Sequence, residues 1–316
     1  MNTLTPSNRL TPPPAENRLA PVRQIVWAAW IIMLLVSTLP NIIFTELFKQ
    51  ATPWLFWAKL GLLAVLIGVS CFWHVLTPLR KYLWVLAAIF GVEYLVATGT
   101  QLLVPWQRLF GGLGASFSAQ MLGTQLQRFI VSLLIIGVMF LLGYRAPQFF
   151  LTRGDLRAPT RPIPWLGIKK SESWLRFGRN LAFFVSLGTL LFLVIGGRPS
   201  LASLGRALPL LPLVLLFASL NAFNEELTYR ASLLAPLENA VGYKHALGIT
   251  AAFFGLGHFY GVPYGLVGVV MATFLGWLLG KAMLETRGFC WSWFIHFLQD
   301  VLIFFFMAIG SIVPGG

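Results

Sequence analysis

The chain has 316 residues, a mean hydropathy of +0.78 and a net charge of +13. Apolar residues make up 57% and charged residues 10%, whereas soluble domains carry roughly 25% charge; a soluble fold of this length would lack the polar surface to cover such a core. The basic residues fall between apolar runs, which suits anionic lipid headgroups and membrane topology and argues against nucleic acid as a partner.

Residues 1–21 are polar and contain Pro12-Pro13-Pro14, the composition of a disordered tail. The first apolar run follows without a small-residue cleavage site, so it reads as a retained helix rather than a signal peptide. Apolar stretches near the ~20 residues that cross a bilayer occupy 24–45, 54–76, 82–104, 127–144, 179–197, 207–224, 246–260, 264–284 and 290–309. The expected fold is all-α, a polytopic transmembrane bundle of about eight or nine spans. The count is open because 246–260 is short, and the sequence Gly261-Val262-Pro263-Tyr264-Gly265 cuts it from the next run. No internal repeat stands out.

Eight of the 23 lysines and arginines lie between Arg145 and Arg179, opposed only by Asp155 and Glu172. By the positive-inside rule this segment should be cytoplasmic, and Arg9, Arg18 and Arg23 then put the N-terminus inside as well. Arg198 and Arg206 run against that orientation. Four segments result: the tail 1–21, N-terminal transmembrane helices over 22–145, a basic cytoplasmic loop over 146–178, and a transmembrane core over 179–316. Cys71 and Cys290 sit in apolar runs and read as small buried hydrophobes, not as a disulfide or a metal site.

Functional signals collect in the last segment. Ionisable groups at membrane depth are costly and mark function unless paired structurally. Asn224-Glu225-Glu226-Leu227-Thr228-Tyr229-Arg230 closes one apolar run. Glu226 and Arg230 are one helical turn apart and suit an ion pair. Glu225 points about 100° away, toward any cavity. His258 ends the run Phe253-Phe254-Gly255-Leu256-Gly257, whose glycines would permit close helix approach. His296 and Asp300 share one face of the last helix, where a carboxylate can orient an imidazole. Each taken alone also fits a structural hydrogen bond or ion pair. The chain has four histidines; His74 and His245 sit at span ends, where interfacial roles suffice. Glu93 is a mid-span acid without a patterned partner and reads as a structural hydrogen-bond partner or a cavity wall.

The order EExxxR, FxxxH, HxxxN/D on successive membrane helices resembles the type II CAAX prenyl endopeptidases and their bacterial relatives, the CPBP family (CAAX proteases and bacteriocin-processing enzymes). Here the motifs are Glu225-Glu226-Leu227-Thr228-Tyr229-Arg230, Phe254-Gly255-Leu256-Gly257-His258 and His296-Phe297-Leu298-Gln299-Asp300. The resemblance covers roughly 180–310. It implies a glutamate-dependent intramembrane protease with no cofactor and no metal, acting on a membrane-associated protein or peptide in a multi-pass protein of a prokaryotic cytoplasmic membrane. By that resemblance Glu225 activates water, His258 holds and polarises it, and His296 with residue 300 stabilises the oxyanion. Glu226, Arg230 and Phe254 support the site. Hydrolysis needs this combination of a base and an oxyanion donor. The departure is Asp300, where the prenyl-protein enzymes carry Asn. An ionised Asp cannot donate a hydrogen bond, so it is either protonated or orients His296. Three other readings stay open: a non-catalytic scaffold or immunity protein of the same fold, a proton-coupled transporter, and a zinc site built from the same acids and histidines.

Overall fold

The computed structural model describes residues 22–111 and 115–312; the expected tail 1–21 lies outside them. Helix α1 (Arg23–Val36) stops at Ser37, whose backbone is extended, and α2 (Leu39–Leu47) leaves at a 46° bend. Then come α3 (Pro53–Val69), α4 (Arg80–Leu102), α5 (Phe117–Leu141) and α6 (Trp174–Gly197). A short helix, Leu201–Ala207, leads into α7 (Leu211–Glu226), a π turn at Leu227–Ala231, and α8 (Ser232–Gly257). Helices α9 (Leu266–Thr286) and α10 (Cys290–Ile312) complete the bundle. No β-strand occurs among the described residues.

Six helical stretches are long and apolar enough to cross a membrane, seven when the bent pair α1–α2 counts as one. The chain is a multi-pass membrane protein, and eight or nine is an approximate count. The continuous stretch Leu201–Gly257 contains the 207–224 run and all but the last three residues of the 246–260 run. The 54–76 run yields a helix of 17 residues, only about 25 Å at 1.5 Å per residue against a ~30 Å hydrocarbon core. It ends because the chain turns at Ser70, whose carbonyl accepts Arg80 Nη2 at 2.8 Å and Thr77 Oγ1 at 3.1 Å.

Two further boundaries differ from the apolar pattern. Helix α5 begins at Phe117, ten residues before the 127–144 run; Ser116 caps it by accepting the Ala119 amide at 3.3 Å. Its first turns carry Gln120, Thr124, Gln125 and Gln127, which mask the apolar signal although Gln125 is buried. Helix α8 begins at Ser232, well before 246, and Gly242 interrupts it at φ 75°, ψ 169°, a conformation open to glycine and strained for other residues. The part after the break is the short run that the hydropathy pattern picks out.

Cys71 is exposed in the turn after α3 and Cys290 is half-buried, so neither is the buried hydrophobe expected from its apolar neighbours. The reason is local: one turn and one helix start put them at the rim of the packed interior.

Both halves of the chain share one core. Val26 and Met33 of α1, Leu83 of α4 and Ile135 of α5 pack in a single cluster with Leu234 of α8 and Met283 of α9. Helix α5 contacts both α4 and α7, and α1 contacts α8. By contrast α6 leaves Phe183, Phe184 and Ile195 exposed, an apolar face that only lipid covers comfortably.

The basic segment after α5 is folded onto the α9–α10 turn. The Asp155 amide donates to Thr286 O at 2.8 Å and the Phe289 amide to Thr152 O at 2.8 Å. Gly154 sits at φ +72°, and a Cβ there would lie 2.6 Å from Gly288 Cα. Inside, Trp174 Nε1 donates to Glu285 Oε2 at 2.9 Å, and Lys281 Nζ donates to Glu285 and to Arg161 O. These contacts pin together the start of α6, the end of α9 and the start of α10, the last of which carries His296 and Asp300.

Candidate active site

Helix α7 presents Asn221 and Glu225 one turn apart on one face. The π turn that follows widens the helix immediately after Glu226, a distortion common at functional sites. Glu225 and Glu226 therefore face different surroundings. Glu225 lines two adjoining cavities, of about 170 and 460 Å3, which also share Glu93, Arg128 and Tyr229. Glu226 and Arg230 are fully buried and joined in an ion pair.

Glu226 is the hub of the buried side. Its Oε1 accepts from Arg230 and from His296 Nδ1, the latter at 2.8 Å, and its Oε2 accepts from Ser292 Oγ. Arg230 always carries charge, so the carboxylate beside it acts as an acceptor and Nδ1 of His296 carries the proton. Nε2 then faces the opposite side, 3.7 Å from Glu225 Oε2 and 3.7 Å from Asp300 Oδ2. The contact that fixes the His296 ring is thus with Glu226. Asp300 Oδ2 accepts from Asn221 Nδ2 at 3.0 Å.

Phe254 sits among the remaining members. Its ring centroid is 4.3 Å from that of His258 and 6.0 Å, edge-on, from that of His296, and 4.6 Å from the Arg230 guanidinium carbon. Among the described residues Arg230 Nε and Nη2 have no hydrogen-bond acceptor, so this ring face is their compensation. His258 follows the last turn of α8, with Nδ1 2.8 Å from Phe254 O. A carbonyl can only accept, so Nδ1 donates and the Nε2 lone pair is left available. His258 and Glu225 line the same 460 Å3 cavity.

Gly255 lets α8 come close to α9: a Cβ there would lie 1.8 Å from Thr273 Oγ1 and 2.7 Å from Val269 O. Gly257 has nothing within 4 Å, so the expected close approach belongs to Gly255 alone.

The first half of the chain also reaches the site. Arg128 Nη1, on α5, donates to Glu225 Oε1 at 2.8 Å and to Asn221 Oδ1. Gln125 Nε2 adds a second donor to Asn221 Oδ1 at 3.2 Å, which fixes the amide so that its NH2 meets Asp300. Ser132 Oγ donates to Asn224 Oδ1 at 3.1 Å. Glu93, on α4, accepts from Tyr229 Oη and is both a hydrogen-bond partner and a cavity wall. In the loop after α8, Tyr264 Oη donates to Glu46 Oε1 at 2.6 Å, which pushes the phenol pKa up to about 12.

Arg128 and Asn221 are two of the site neighbours absent from the motif pattern. Arg128 interrupts an apolar run, so the insertion cost that singles out Glu225 singles it out too. Asn221 has no such signal, since an amide in a helix is ordinary. Among the described residues no three His, Cys, Asp or Glu side chains converge as a set that could hold a metal ion.

Residues 207–302 match the family model described as Type II CAAX prenyl endopeptidase Rce1-like, a family of proteases. The matched segment includes Glu225, Glu226, Arg230, His258, His296 and Asp300, and the CPBP-family resemblance holds. No curated protein and no solved structure matches the chain.

Proposed function

We propose that this chain, a CPBP-family membrane protein through residues 207–302, is an intramembrane endopeptidase that hydrolyses a peptide bond with water activated by Glu225 and His258. The observation that carries the reading is that Glu225 and His258 line one cavity while Glu226, Arg230 and Ser292 stand behind them, out of it. One glutamate is left for chemistry and the other for architecture.

The mechanism follows from donors and acceptors. Water between Glu225 and the His258 Nε2 lone pair donates a hydrogen to each, which turns an oxygen lone pair toward the substrate carbonyl carbon. As the C–O bond forms, the proton passes to Glu225 and the carbonyl oxygen becomes an oxyanion. When the C–N bond breaks, Glu225 returns that proton to the departing amine. The oxyanion needs a donor. His296 supplies it in its doubly protonated form, with Nδ1–H held by Glu226 and Nε2–H beside Glu225 and Asp300. Asp300, hydrogen-bonded to Asn221, balances that charge as an acceptor. Arg128 holds the Glu225 carboxylate in place as a base and is a positioning residue. The basic segment 146–178 faces the cytoplasm by the positive-inside rule, with the N-terminus on the same side. The family description points to lipidated C-terminal segments as the class to try first; the Asp300 variant leaves leader peptides and membrane-anchored tails as further candidates.

The test is cleavage of lipid-tethered peptides by the purified chain reconstituted in vesicles. Glu225→Gln and His258→Ala should each lower the rate by about 10²- to 10⁴-fold without lowering the melting temperature in detergent. A folded Glu225→Gln protein with full activity would sink the proposal. Inhibition by a chelator with recovery on adding zinc would replace the glutamate reading with a metal one.

A further inference from the structure

The 460 Å3 cavity, within the range of small-ligand sites, has a second charged end. Lys59, on α3, lines it together with Glu93, Arg128, Glu225 and His258. It is only 8% exposed. Its Nζ donates to Ser37 O at 2.6 Å and Asn41 Oδ1 at 2.5 Å, and lies 6.0 Å from the Phe90 ring centroid. All three partners are neutral. The other cation on this cavity, Arg128, is paired with Glu225. Among the described residues Lys59 has no carboxylate partner.

A buried lysine with neutral partners is costly to keep unless an anion joins it. Its two acceptors explain why the ammonium is held still but not why it is charged. Ser37 O is a carbonyl freed where α1 breaks from α2, and an uncharged donor would satisfy it as well. We propose that Lys59 binds a carboxylate of the substrate, so that the peptide lies between Lys59 and Glu225 with a negative group at one end and the scissile bond at the other. The inference rests on the endopeptidase reading for its substrate. Two sources share this chemistry: the peptide's own C-terminus, and an aspartate or glutamate side chain beyond the cut.

The experiment uses a mixed-sequence, N-terminally lipidated peptide library, made once with a free C-terminal acid and once with a C-terminal carboxamide. The full chain in phosphatidylcholine vesicles cleaves each, and products are read by mass spectrometry. Wild type should cut the acid library at least about tenfold faster if the C-terminus is the ligand. If a side chain is, the cleaved carboxamide peptides should be enriched in Asp and Glu. Lys59→Gln keeps a donor for Ser37 without the charge and should bring the acid rate down to the carboxamide rate, or remove the Asp/Glu enrichment. Lys59→Arg should keep the preference. An acid-to-amide ratio near one in wild type with no acidic enrichment overturns the proposal, and that comparison needs no variant. An unchanged preference in Lys59→Gln overturns it equally. Peptide binding to Glu225→Gln protein, with and without Lys59→Gln, separates the two claims. A Lys59-dependent preference for the acid in binding, with no cleavage by wild type, keeps the subsite and discards the protease.

Discussion

Two adjacent glutamates at one helix end differ in what surrounds them. Glu226 has Arg230, His296 and Ser292 as donors in a closed pocket, while Glu225 has Arg128 and an open cavity. Asp300 is the residue whose contacts most change the sequence reading. Its Oδ2 takes the Asn221 amide, and the His296 ring is held from its other side by Glu226. Asn in place of Asp300 can accept the same amide through its carbonyl oxygen. Asp300→Asn should therefore keep the melting temperature, because one acceptor is exchanged for another, but should lower activity by about tenfold or more, because the charge that balances the His296 imidazolium is lost. Asp300→Leu strands the buried Asn221 donor and should cost about 1–3 kcal/mol of stability. Denaturation in detergent beside a cleavage assay checks both. The ion pair of Glu226 with Arg230 and the cavity-facing Glu225 were legible from spacing alone, because a helix repeats every 3.6 residues. Asn221 was not legible, because its importance lies in what α5 and α10 place against it.

Among the elements, α8 and α9 do most to set the geometry. They meet at Gly255, and His258 sits three residues on. Gly255→Ala would drive a Cβ into Thr273 and the Val269 carbonyl; the overpacking should cost about 1–3 kcal/mol and displace His258 enough to lower cleavage. Gly257→Ala, with open space around it, should change neither the melting temperature nor the rate by a measurable amount. The pair is a control for each other, since both add one methyl to the same helix. Hydropathy found the apolar runs behind these helices but misjudged several ends. It stopped short where helices continue through polar residues that are buried in protein rather than lipid, as at Gln125 of α5 and Ser232 of α8. It ran long where an apolar chain turns, as after Val69. Burial by protein and burial by lipid favour different residues, and a hydropathy window reads only the second.

At the scale of the molecule, the sequence divides into helices with few functional signals and a core with nearly all of them, yet the halves fold around one interior. Arg128 and Lys59, both from the first half, line the cavity that holds Glu225. We therefore propose that 22–145 completes the core at 179–316 rather than serving as an independent domain. The core expressed alone should be degraded or inactive, and co-expression with residues 1–178 should restore cleavage. A core that is stable and fully active alone would refute this. The central claim, that Glu225 makes this membrane bundle a peptide hydrolase, is tested most directly by comparing protein termini in cells carrying the wild-type chain with cells carrying Glu225→Gln at equal abundance. The account predicts a discrete set of new termini from membrane-associated proteins, present with wild type and lost in the mutant. Identical termini in the two would contradict it.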